Sequence, residues 1–129
     1  MSMPEFGSLE NNENKAFRTN KATEMSRTFK SPNCVFKFLP NNDQTYAIQN
    51  TKNKGYLQSH IQTYFDLKPK TSLGDHQKWR FLPIPDIKNG YYIQNVGNGG
   101  YLTKECSKMI PHAGHNEVYI VEARPKPQP

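Results

Sequence analysis

Apolar and polar positions alternate along this chain only over short stretches, and each stretch is closed by turn-forming residues. Phe36-Lys-Phe38-Leu39 and Trp79-Arg-Phe81-Leu82 stop at Pro40 and Pro83. Tyr46-Ala-Ile48-Gln49 and Tyr91-Tyr-Ile93-Gln94 begin again after Asn41-Asn-Asp43 and Ile87-Lys-Asn-Gly90. A period of two bounded by Asn, Gly, Asp and Pro predicts strands joined by tight turns. No long stretch holds the 3.6-residue period of a helix, and 10 prolines with 8 glycines interrupt any candidate. The prediction is an all-β chain.

The same strand–turn–strand pattern occurs three times. Ser8–Thr19 (SLENNENKAFRT), Ala47–Gln58 (AIQNTKNKGYLQ) and Tyr92–Thr103 (YIQNVGNGGYLT) align without a gap, each with an apolar residue, two Asn, a small residue and an aromatic. A second block follows as Cys34-Val-Phe36-Lys-Phe38, Gln77-Lys-Trp79-Arg-Phe81 and Asn116-Glu-Val118-Tyr-Ile120. One such unit cannot bury its apolar face alone, whereas three can close a barrel. Four short strands per repeat, roughly twelve in all, predict a β-trefoil with repeats at about 6–44, 45–90 and 91–123 in one domain. A β-sandwich also uses short strands, but it gives no reason for three equivalent units. The expected core is Leu9, Phe17, Phe36, Phe38, Ile48, Tyr56, Leu57, Trp79, Phe81, Ile93, Tyr101, Leu102, Val118 and Ile120. Residues 124–129, rich in proline, are expected to form a flexible tail.

Composition narrows the function classes. Hydrophobic residues make up 34% of the 129 and mean hydropathy is −0.89, so the core must be economical. No apolar run is long enough to span a membrane as a helix, and Met1–Gly7 has no apolar signal-peptide core. A cytoplasmic or non-classically secreted protein is expected, with no membrane insertion. The net charge is +6, but Lys15, Arg18, Lys21, Arg27, Lys30, Lys52, Lys54, Lys68 and Lys70 are scattered. They read as a solvated basic surface, and no nucleic-acid partner is expected. Cys34 and Cys106 are expected as free thiols. His112 and His115 have only Cys106 as a nearby soft partner, short of the about four ligands of a structural zinc site. No nucleophile–base arrangement, carboxylate pair or phosphate loop stands out, so neither an enzyme nor a cofactor is expected.

Tyr91-Tyr-Ile-Gln-Asn95, Gly100-Tyr-Leu102 and Gln77-Lys-Trp79 together resemble the ricin-B-type (Gln-x-Trp) β-trefoil lectins over nearly the whole chain. That resemblance implies a non-enzymatic carbohydrate-binding protein, with glycans or glycoproteins as partners and possible homodimerisation. It also implies that Trp79 is a core residue, and that a sugar-binding Asp should follow the Leu of the second strand. Here those positions hold Thr19, Gln58 and Thr103, so the sugar site departs from the family pattern. The second repeat supplies the replacements: Gln58, Tyr64, Phe65 and Asp66, with His76 and Gln77 before Trp79. In the third repeat Thr103, His115 and Asn116 are the corresponding candidates. A β-trefoil that binds a protein, such as a protease inhibitor, is the alternative reading. It would act through the Lys68–Asp75 and Leu82–Gly90 loops.

Overall fold

The computed structural model describes residues 3–61, 64–68, 74–105 and 107–128, and twelve strands lie within them. In chain order they are β1 (Phe6–Asn11), β2 (Phe17–Arg18), β3 (Met25–Ser26), β4 (Phe36–Pro40), β5 (Tyr46–Asn50) and β6 (Tyr56–Ile61). The second half holds β7 (Tyr64–Lys68), β8 (Trp79–Pro83), β9 (Gly90–Asn95), β10 (Tyr101–Leu102), β11 (Met109–Ile110) and β12 (Val118–Ala123). Short 3-10 helices at Asp75–Gln77 and His115–Glu117 lead into β8 and β12. No helix among the described residues is long and apolar enough to cross a membrane.

β1, β4, β5, β8, β9 and β12 pair antiparallel in that order, and β12 returns to β1. The ring is a closed six-stranded barrel. Hairpins β2–β3, β6–β7 and β10–β11 branch from β1, β5 and β9. This is the β-trefoil that the repeat predicts, and closure leaves no barrel strand with an unpaired edge.

The repeated asparagines explain why the repeat survives. Asn11, Asn50 and Asn95 are wholly buried, and each side-chain oxygen accepts two backbone N–H groups: Glu13 and Asn14, Lys52 and Asn53, Gly97 and Asn98. Each Nδ2 donates across to the next segment, at the carbonyls of Asn116, Asn33 and His76. A second set, Asn14, Asn53 and Asn98, accepts the N–H of Ala16, Gly55 and Gly100. The residue between turns left-handed, with φ of 60° at Lys15, 63° at Lys54 and 76° at Gly99. Satisfying buried backbone donors, not ligand contact, is what these positions do.

Phe36 pairs with Asn50, Trp79 with Asn95 and Tyr119 with Asn11, so these three aromatics are the equivalent core residues. All are fully buried. The register corrects the third block by one residue: the counterpart of Gln77-Lys-Trp79 is Glu117-Val118-Tyr119, not Asn116-Glu117-Val118. The 3-10 helices agree. The N–H of Gly74 donates to Gln77 Oε1 and that of Gly114 to Glu117 Oε1, both at 2.7 Å.

Leu9, Phe36, Phe38, Ile48, Leu57, Trp79, Ile93, Leu102 and Val118 are buried as expected. Phe17, Tyr56, Phe81, Tyr101 and Ile120 are half-buried instead. Several of them cover the core from its rim, Phe17 edge-on to Phe29 and Tyr101 edge-on to Tyr92. Phe81 joins Phe38, Tyr46 and Tyr91 in an edge-to-face cluster at the barrel end remote from the Asn turns.

Arg18 overturns its assignment to the basic surface. It is 2% exposed and occupies the position of Leu57 and Leu102 in the other repeats. Its Nε donates to Tyr119 Oη at 3.0 Å, Nη2 to the carbonyls of Thr103 and Glu105, and Nη1 to that of Ala22. Burial raises the Tyr119 phenol above its ordinary pKa while the Arg18 charge opposes the rise, so the phenol stays neutral and donates to the Thr103 carbonyl. Arg124, at the start of the proline-rich tail, is anchored: its Nε donates to Ser8 Oγ and its guanidinium stacks 4.0 Å from the Phe29 ring centre.

Candidate functional site

The three hairpins are unequal. β2–β3 and β10–β11 have two residues per strand, whereas β6 has six and β7 five, with a bulge between Ser59 and Ile61. The longer hairpin carries the second repeat's candidates out beside the Asp75–Gln77 helix. Gln58 and Asp66 are directly paired across β6 and β7, so both side chains leave the same face.

Hydrogen bonds set the polarity of this cluster. Gly74 N–H can only donate, so Gln77 accepts through Oε1 and presents Nε2 to Gln58 Oε1 at 2.7 Å. Gln58 must then turn its own Nε2 outward as a donor, a choice the backbone makes for both amides. Ser59 Oγ lies 2.7 Å from His76 Nδ1. Among the described residues, Asp66 Oδ1 is a buried side-chain oxygen with no hydrogen-bond partner. Leaving such an acceptor unmet costs about 1–3 kcal/mol, which makes it a candidate contact for a bound group. Gln58, Asp66 and Gln77 are therefore brought together, while His76 is held by Ser59, the next residue of β6. Tyr64 and Phe65 lie on β7, but their side chains are outside the described residues, as are Cys106 and residues 69–73 of the Lys68–Asp75 loop.

In the other two lobes the residue equivalent to Gln58 is engaged by its own chain. Thr19 Oγ1 accepts the N–H of Lys21, and Thr103 Oγ1 accepts that of Glu105, each satisfied in a local turn. At the Gln77 position the first lobe has Cys34, buried, with desolvation pushing its thiol pKa up. The third has Glu117, already engaged by Gly114. Asn116 matches His76 in register, while His115 stands at the place of Asp75 and is exposed. Thr103, His115 and Asn116 share none of the side-chain hydrogen bonds that join Gln58 to Gln77. No group of three or more His, Cys, Asp or Glu side chains suited to a metal occurs among the described residues.

Two residues around His76 escaped the sequence reading. Ser59 follows Gln58 and holds His76. Gly97, in the turn of the third repeat, lies under the imidazole; a Cβ there would come within 2.7 Å of His76 Nδ1. The matching positions are Glu13 and Lys52, so a glycine in only one of three equivalent turns was the available signal. Gly97→Ala is expected to displace the exposed His76 ring and break its contact with Ser59. The thermal midpoint should move by no more than about 3 °C. Imidazole NMR shifts, together with the melting curve, check this.

A cavity of about 410 Å³ lies at the opposite end of the barrel, lined by Met3, Asn41, Tyr46, Phe81 and Tyr91 among others. None of the candidate binding residues named from the sequence lines it.

No protein-family model and no curated protein sequence matches the chain. Solved structures do. The structure of SeviL bound to asialo-GM1 saccharide superposes with a TM-score of 0.77 at 15% identity, over 93% of this chain and 98% of its own. The fold is the β-trefoil. The designed threefold-symmetric protein ThreeFoil gives 0.78 at 13% identity, over 92% of this chain and 99% of its own. The Macrolepiota procera ricin B-like lectin, solved with lactose, gives 0.74 at 8% identity, over 96% and 99%. Against that symmetric design, this β-trefoil's departures from threefold symmetry stand out: Arg18 with Tyr119, and the extended second hairpin.

Proposed function

We propose that this β-trefoil is a non-enzymatic carbohydrate-binding protein that holds a glycan at its second lobe. The supporting observation is the Asp66 carboxylate oxygen left without a partner beside the outward Gln58 amide, whereas the equivalent Thr19 and Thr103 hydroxyls are engaged in their own turns. Proteins of the same fold, solved with lactose and with an asialo-GM1 saccharide, support the ligand class. Single-site sugar affinity is modest, so display of several copies on a surface strengthens retention.

A glycan array of neutral, sialylated and sulfated structures, read at low salt and at about 0.5 M salt, tests the proposal. Salt-resistant binding to a restricted set is the expected result. A blank array would sink it and transfer attention to a protein partner such as a protease. The Leu82–Gly90 loop would then be the contact to try, being braced by Ile84 N–H to Gly90 O and Val121 N–H to Asn89 O.

A further inference from the structure

Resting on that reading, we infer that the second lobe selects an uncharged saccharide through a donor–acceptor pair on facing strands. Gln58 on β6 donates and Asp66 on β7 accepts, so the acceptor carboxylate has crossed the hairpin from the strand where the lectin resemblance places it. Three observations converge on this.

The first is the relay from Gly74 N–H through Gln77 to Gln58, which engages the Gln58 oxygen at 2.7 Å and turns its Nε2 out as the donor. The second is the register. Gln58 and Asp66 are a direct cross-strand pair on one face, within the reach of two neighbouring hydroxyls on a ring. One hydroxyl accepts from the amide while its neighbour donates to the carboxylate, an arrangement that a vicinal diol satisfies. The third is Asp66 Oδ1 itself, buried and unmet. The terminal torsion of an Asp side chain is broad, so its two oxygens can turn to meet a ligand without moving the strand.

The local charge gives the inference its sharper consequence. The chain carries +6 overall, yet the described groups around this lobe are Asp66, Asp75, His76 and Lys78. The Lys78 ammonium already sits 3.6 Å from Asp43 and 3.7 Å from Asp75. An anionic sugar would bring its charge against the Asp66 carboxylate, which forms no ion pair among the described residues, and like charges repel. The net charge predicts preference for acidic glycans; the site predicts the reverse.

The experiment measures affinity, by calorimetry, for the best neutral glycan from the array and for its sulfated and sialylated forms. Wild type, Asp66→Asn, Gln58→Ala and the double variant Gln58→Asp/Asp66→Asn are compared, with circular dichroism and melting curves confirming that each is folded. The expected results are a loss of about tenfold or more for Asp66→Asn and for Gln58→Ala, because a buried polar partner is left unpaired. The double variant, which returns the carboxylate to β6 where Gln77 Nε2 can hold it, should recover most of that loss. Acidic forms of the glycan should bind wild type about tenfold more weakly than the neutral form. Neutral-glycan binding unchanged in Asp66→Asn, or a wild-type preference for the acidic forms, would overturn this inference while leaving carbohydrate binding intact. Absence of any glycan binding by the wild type would overturn both.

Discussion

Arg18→Ala is expected to cost about 3 kcal/mol of folding stability, read as a shift of the urea midpoint at unchanged slope. The side chain is 2% exposed and supplies donors to three backbone carbonyls and the Tyr119 phenol. Its removal leaves both a cavity and unmet acceptors, and the two penalties add. A more specific expectation concerns its partner. Arg18 stands where the other repeats have Leu57 and Leu102, and Tyr119 stands where the second repeat has Trp79. The Trp79 indole donates to the Leu57 carbonyl, while Arg18 and Tyr119 together converge on that of Thr103. Arg18→Leu alone removes donors, and Tyr119→Trp alone overfills the space beside the guanidinium; each should cost about 2 kcal/mol. Under the threefold relation Arg18 and Tyr119 correspond to Leu102 and Trp79, so the double variant restores that pair and should cost less than the sum by at least about 1 kcal/mol. Additive costs would mean that the two departures from symmetry arose independently.

The second large effect is at the buried asparagines. Asn50→Ala or Asn95→Ala strips two backbone N–H groups of their acceptor and one carbonyl of its donor. With each buried unmet group costing about 1–3 kcal/mol, a net loss near 3 kcal/mol is expected at either position. Asn→Asp keeps the acceptor but points a second oxygen at the carbonyl of Asn33 or His76, so it should rescue little. Chemical denaturation of the four variants measures this. A cost confined to one repeat would contradict the view that these residues are architectural in all three.

Those asparagines show what made the fold legible. Because one turn geometry recurs three times, its requirements recur in the chain: an acceptor at the first Asn, another at the second, and a residue that tolerates positive φ between strands. Spacing alone was enough to read them. The third aromatic was harder. Its loop has a different length, and aligning Asn116 with Gln77 places Val118 instead of Tyr119 in the core. The Gly114-x-x-Glu117 spacing, which repeats Gly74-x-x-Gln77, was the local feature that fixes the register. Arg18 was illegible for a physical reason: composition treats an arginine as surface, and only the packing of Tyr119 from the far end of the chain shows that it is enclosed. The candidate site was legible in part. Gln58, Asp66, His76 and Gln77 were named from one repeat, but which amide faces outward depends on Gly74 N–H. That Gly97 makes room for His76 depends on a neighbouring repeat.

The claim on which the account rests is that the second lobe, and not its two relatives, receives a glycan. Titrating the isotope-labelled protein with lactose, or with the leading neutral glycan from the array, and following amide resonances by NMR tests it most directly. The predicted result is saturable movement of the Gln58 and Gln77 side-chain amides and of the Ser59, Asp66 and Gly97 backbone signals, with Thr19 and Thr103 still. Movement confined to the first or third lobe, or to the cavity around Tyr46 and Tyr91, would contradict it.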